Sequence, residues 1–235
     1  MSHEGFTALH RTLGRAAAWA VFSLSVIYAI TTVLGFLSLK SPLDPIGDPY
    51  FTIMELLIIL LVPLMVITMV AVHAYAPSEV KAYSFTALIF IIIMAGITSS
   101  LHFVVLTVSR QIEAVGLTQA SLFFSFKWPS VVYTLDILAW DWFFALSLLF
   151  AAPVFKGGRL EMAVGYFMIA SGVLSLVGLL GVPLAIMNVA HWLNVRNIGI
   201  VGYALVSPLA FMLLAILFGR IQPVQGETKR SQVAA

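Results

Sequence analysis

The chain has 235 residues, of which 61% are apolar and only 9% charged, and its mean hydropathy is +1.06. Soluble domains carry about 25% charged residues, so this composition excludes an ordinary soluble domain and indicates an integral membrane protein. The twelve Lys and Arg are scattered through short connections and leave a formal net charge of +2, which argues against a nucleic-acid partner, and the absence of cysteine excludes disulfides, thiolate metal sites and thiol nucleophiles.

Residues 1–15 form a polar N-terminal segment that reads as cytoplasmic. The apolar run Ala16–Leu39 that follows exceeds the about 7–15 residues of a signal-peptide core, and no A-x-A-like site closes it, so it is expected to remain as the first helix. Five more runs follow: Phe51–Val72, Tyr83–Val108, Trp128–Phe155, Met162–Asn188 and Ile198–Phe218. Each is long enough to cross a hydrocarbon core of roughly 30 Å at about 1.5 Å per residue. The connections SPLDPIGDPY, YAPSE and KGGRLE carry Pro, Gly and charge. In the longest connection, Arg110 to Lys127, the portion LTQASLFFSF is aromatic enough to lie along an interface. Pro63 and Pro183 are expected to kink the second and fifth spans, and residues 219–235 read as a disordered cytoplasmic tail.

The expected fold is therefore all-α: a polytopic integral membrane protein with a bundle of six transmembrane helices. An N-in, C-in orientation follows from loop charge. It places Arg11, Arg15, Lys81, Lys156, Arg159, Arg220, Lys229 and Arg230 inside, and Lys40, Arg110, Lys127 and Arg196 outside. In that orientation the polar residues of the spans gather in the outer half: Glu55, His102, Asp136, Asp141, the Asn188–His191–Trp192 end of span five, and Tyr203. The inner halves are almost wholly apolar, so the pattern predicts an outward-opening polar cavity.

Span four is the most informative. Asp136 and Asp141 are the only charges between Lys127 and Lys156. A carboxylate at mid-membrane costs about 2.5–3.5 kcal/mol on insertion scales, so it normally lines a cavity or a protein interface. Tyr133, Asp136, Trp140, Phe143 and Ser147 share one helical face. Asp141 lies five residues beyond Asp136, about 140° around an α-helix, so the two face different neighbours and form no intrahelical dyad. Thr98, Ser99 and His102 share a face of span three. Ser171, Ser175, Gly178, Gly181 and Ala185 make a small-residue stripe on span five, suited to close helix contact or to oligomer formation.

Each candidate also has a structural reading. Asp141 could be a protonated, hydrogen-bonded core residue. Asp136 could pair with Arg110, Lys127 or Arg196, and His102 could bond an adjacent helix. Glu55 and His191 lie near the interface, where solvated side chains are cheap. His73 has the helical phase of Glu55 but lies about 27 Å away along the helix, at the other end. Trp140 and Trp142 could be packing residues, and Asn188, His191 and Trp192 an interfacial anchor.

Motifs exclude more than they identify. All lysines, at 40, 81, 127, 156 and 229, lie outside the spans, which excludes a retinal Schiff base. No H-E-x-x-H, G-x-S-x-G, P-loop or voltage-sensor arginine row occurs, and no persuasive inverted repeat relates the two halves. The favoured expectation is an intramembrane acid/base enzyme of the cell membrane, acting on a lipid-like or isoprenoid substrate. Asp141 or Asp136 would be its acid and His102 or Glu55 its base. Tyr133, Trp140, Trp142, Asn188, His191, Trp192 and Tyr203 would contact the substrate. Three alternatives stand beside it: a proton-coupled transporter, a haem or metal subunit ligated through His102 and His191, and a structural membrane subunit. No cofactor is indicated by the residues, and membrane lipids are the expected partners.

Overall fold

The computed structural model describes residues 6–41, 44–109, 111, 121–126, 129–180 and 195–222. Among these residues it is all-helical, with six helices long and apolar enough to cross a membrane: α1 Ala8–Leu37, α2 Tyr50–Tyr75, α3 Ser78–Val108, α4 Val131–Val154, α5 Arg159–Leu179 and α6 Asn197–Arg220. The expected six spans are all present, with two informative shifts at their ends. α1 begins at Ala8 instead of Ala16 because Thr7 caps it. The Thr7 hydroxyl takes the His10 backbone N–H while the His10 ring closes back on the Thr7 N–H, so the polar first turns, with Arg11 and Arg15, are helical. α5 is described as far as Leu179, and the expected extension to Asn188, including Pro183, Gly181 and Ala185, lies outside the described residues. α2 runs without a break through Pro63.

Each helix packs on its neighbours in sequence, and α6 returns against α1 to close a ring. Both ends of the described chain therefore lie at one end of the bundle, called the terminal end below. Packing relies on small residues. Gly14 of α1 lies against Ala71 of α2 and Phe218 of α6, so one bare Cα serves two contacts. A methyl group built on Gly202 of α6 would fall 2.8 Å from the Ser171 carbonyl oxygen and 2.9 Å from the Ser175 nitrogen. The Ser171 hydroxyl uses that approach to donate to the Gly202 carbonyl at 2.8 Å. The Ser147 hydroxyl likewise crosses from α4 to the Ala87 carbonyl of α3 at 2.8 Å. The bundle centre is filled by large apolar side chains, among them Met69, Met94, Phe144, Met168 and Leu214.

The terminal end carries its own polar ties. Arg11 donates from Nε to the Phe218 carbonyl (3.2 Å) and from Nη2 to the Gly219 carbonyl (3.1 Å), satisfying the last turn of α6. The Tyr75 hydroxyl donates to Glu161 at 2.9 Å, and the second Glu161 oxygen accepts the Gly157 N–H at 2.9 Å. Phe6 packs edge-on against Tyr75 and beside Phe218, each at 5.5 Å between ring centres. His73 is here too, bonded to Ser84 at 2.9 Å, while Lys81 donates to the His73 and Ala76 carbonyls at the end of α2. His73 therefore belongs to the terminal end, away from Glu55.

Three helices contain π-helical turns: Val105–Ser109 in α3, Leu138–Phe144 in α4 and Val201–Val206 in α6. All three lie in the half of the bundle opposite the terminal end. Such turns widen the helix by one residue and recur at functional sites.

Gly202→Leu should destabilise the bundle by about 1–3 kcal/mol, because backbone atoms of α5 block the new side chain. Gly96→Leu, where nothing lies within 4 Å of the added carbon, should change little. Thermal unfolding of the two variants in detergent, compared with the parent, measures the difference.

Candidate functional site

The half opposite the terminal end gathers Glu55 of α2, His102 of α3 and Asp136 of α4 into one cluster. Glu55 lies five residues into α2, on the face carrying Leu57, Ile58 and Leu61 toward the interior, and is only 4% exposed. His102 is 6% exposed and precedes the π-turn of α3. Its Nδ1 lies 2.8 Å from Glu55 Oε2, a full hydrogen bond between two buried side chains of different helices. An ionised carboxylate only accepts, so opposite such a Glu55 the Nδ1 atom is the donor of this bond.

Nε2 faces Asp136 Oδ1 at 3.7 Å. That separation is too long for a hydrogen bond. Both atoms are buried, and neither has a hydrogen-bond partner within the described structure. Two buried polar atoms thus face each other across a gap of less than one ångström beyond bonding distance. Leaving such groups unsatisfied in a buried site costs about 1–3 kcal/mol. The arrangement is therefore energetically poor as a simple brace between helices and well formed for a third polar atom that reaches both.

The surroundings are aromatic and apolar. Phe126, from the connection between α3 and α4, lies over the His102 ring with centres 5.1 Å apart. Phe124, Phe126 and Phe51 pack on Leu101, Val105 and Val132 beside the cluster. The connection expected to lie along an interface thus supplies a cover for His102. Tyr28 of α1 is half-buried and within electrostatic reach of Asp136 and Glu55. Sequence reasoning missed Tyr28 because nothing in α1 distinguishes one tyrosine within an apolar helix. The cluster draws on four helices and one connection that are distant in the chain.

The two aspartates of α4 do face different neighbours. Asp141 is fully buried at the start of the π-turn's second half, and its Oδ1 would lie 3.4 Å from a methyl group on Gly178. A methyl there would also meet Gly199 Cα at 2.5 Å, so Asp141 sits where α5 and α6 come closest. Of the other expected site residues, Trp140 is buried, with its ring 5.4 Å from that of Tyr203. Tyr133 is half-buried. Trp142 is 41% exposed and turns to the outside of the bundle. Asn188, His191 and Trp192 lie outside the described residues, as do Arg110 and Lys127.

Two readings of the sequence change. Glu55 is not a solvated interfacial side chain but a buried one, because the His102 bond replaces its water. Within the described residues Asp136 meets a histidine instead of a loop cation. No group of three or more His, Asp or Glu among the described residues has the geometry to hold a metal ion. Comparison of the chain with protein-family models, with curated proteins and with solved structures finds no match.

A double-mutant cycle should show Glu55→Ala and His102→Ala to be non-additive by about 0.6–1.7 kcal/mol in unfolding free energy. Glu55→Ala and Asp141→Ala, which change separate clusters, should add to within about 0.5 kcal/mol. Denaturation of the six proteins (parent, three single and two double variants) in one detergent provides both values.

Proposed function

We propose that the six helices span a cell membrane with both termini on the inner side, and that the Glu55–His102–Asp136 cluster is an acid–base centre acting on an apolar or lipid-like substrate. Loop charge supports the orientation, since Arg11, Arg15, Lys81, Lys156, Arg159 and Arg220 all belong to the terminal end. One observation carries the chemical reading: His102 Nε2 and Asp136 Oδ1 stand 3.7 Å apart, buried and without hydrogen-bond partners, while Nδ1 is held by Glu55.

In this reading Glu55 is the orienting carboxylate, which fixes the ring and its tautomer. His102 Nε2 is the base, taking a proton from a substrate hydroxyl or an activated carbon. Asp136 is the acid, returning a proton to the atom that develops negative charge. An oxygen about 2.8 Å from both atoms would bridge them. Tyr28 lies beside the carboxylates as a further hydroxyl for orientation. Phe126 and the neighbouring phenylalanines hold the hydrocarbon part and keep water from the reacting atoms. Asp141, at the α5–α6 contact, stands apart from this centre.

The test uses purified protein in liposomes, incubated separately with polyisoprenols, polyisoprenyl phosphates and glycerophospholipids, with lipid products followed by mass spectrometry. One class should be converted. His102→Gln and Asp136→Asn should each slow the conversion by about 100-fold or more, the usual scale for removing a general acid or base. Trp142→Ala, on the outer surface, should leave it unchanged. Full activity in both cluster variants would discard the acid–base reading. If lipid remains unchanged while proton flux into dye-loaded liposomes depends on His102 and Asp136, the centre serves a proton-coupled transporter instead.

A further inference from the structure

Away from the acid–base centre, the terminal end carries a second feature that no part of that chemistry uses. Arg11, Thr12, Arg15, Ala16 and Trp19 line an open pocket of about 420 Å³ on the flank of α1. Arg11, Arg15 and Trp19 follow at four-residue steps and form one row along the helix. From Arg11 to Trp19 the row is about 12 Å long. Its polar end lies at the last turn of α6 and its Trp end lies deeper along the bundle.

One of the two guanidiniums is held by α6, and the other lies beside it. Arg11 is pinned through Nε and Nη2 to the Phe218 and Gly219 carbonyls. Arg15 lies alongside, with Nε 3.4 Å from where a Gly219 side chain would begin. Among the described residues neither guanidinium forms an ion pair; the ion pairs there involve His102 alone. Two positive charges four residues apart repel each other, and carbonyl dipoles offset only that of Arg11. An anion on their open side completes the charge balance, and guanidinium forks match phosphate oxygens in pairs.

Trp19 identifies the anion's carrier. It is 38% exposed at the inner edge of the row, and exposed Leu9 and Leu13 flank the same stretch of α1. An amphipathic indole below two arginines fits a ligand with a charged head and an apolar body. Free phosphate has no use for that lower wall. We propose that Arg11, Arg15 and Trp19 bind the headgroup and upper acyl region of an anionic phospholipid, clamping α1 to the end of α6 from the membrane side.

The experiment is native mass spectrometry of the full chain in detergent, titrated with phosphatidylglycerol and, separately, phosphatidylcholine. Arg15 is exposed and makes no described hydrogen bond, so Arg15→Gln tests the site without removing the Arg11 pin. Phosphatidylglycerol should be retained in preference to phosphatidylcholine. Arg15→Gln should weaken its retention about fivefold, the scale of one basic side chain near an anionic headgroup. Trp19→Ala should also weaken it, although the charge is unchanged. Lys156→Gln, an exposed cation at the same end, should leave retention unaltered. Equal retention in the parent and Arg15→Gln would overturn the proposal. So would an equal loss in Lys156→Gln, which would indicate general surface attraction, or displacement by equimolar inorganic phosphate, which would indicate a free-anion site.

Discussion

In the membrane setting proposed above, helices of this composition would not be held together by the exclusion of apolar side chains from water, because lipid tails are as apolar as the helix surfaces. They have to approach closely enough for dispersion and short polar contacts to act, and the bundle depends on that constraint. Gly14 admits both α2 and α6, and Gly178 and Gly202 bring α5 and α6 together. Ser147 and Ser171 spend their hydroxyls on carbonyls of the neighbouring helix at the same contacts. Close approach also fixes rotation: once Gly202 faces Ser171, the opposite faces of α6 are assigned to core or exterior. The ring of six helices follows from a handful of such places.

The same constraint makes the polar cluster meaningful. Glycine and serine contacts elsewhere also fix the helices, and three helices bring Glu55, His102 and Asp136 together in the interior. The Glu55–His102 bond is fully formed, whereas the His102–Asp136 approach is incomplete. A structural brace would be expected to close both. Catalytic sites instead leave the reacting position open until the substrate arrives. The π-turns in α3 and α4 fit the same picture, since each turns the helix out of strict α phase next to the cluster.

The two ends of the bundle divide the work. At the terminal end polar groups are consumed in closing helix ends: Arg11 on α6, Lys81 on α2, Glu161 between Tyr75 and Gly157. This end is rigid, aromatic and tied to both described chain ends through Phe6 and Phe218. The opposite end buries Glu55, His102 and Asp136 and covers the histidine with a connection whose Phe126 lies on its ring. Anchoring one end firmly lets the other hold an energetically unfavourable arrangement.

The sequence by itself determined the class, the number of long helices and the half of the bundle where polar chemistry collects. Hydrophobic length and loop composition are local properties, and a charge inside an apolar run is visible without any fold. It also determined that Asp136 and Asp141 look to different neighbours, because helical phase is set by spacing along one helix. What only the tertiary structure decided is which residues meet. Glu55 and His102 are 47 positions apart, and their pairing depends on the rotation of α2 against α3. Tyr28 and Phe126 join the site from a first helix and a connection with no pattern of their own. The capped start of α1 at Thr7 rested on reciprocal side-chain-to-backbone hydrogen bonds between Thr7 and His10 that hydropathy does not register. Depth along a helix is written in the residue order; facing is settled by the close contacts of its neighbours, and the proposed chemistry lies in the facing.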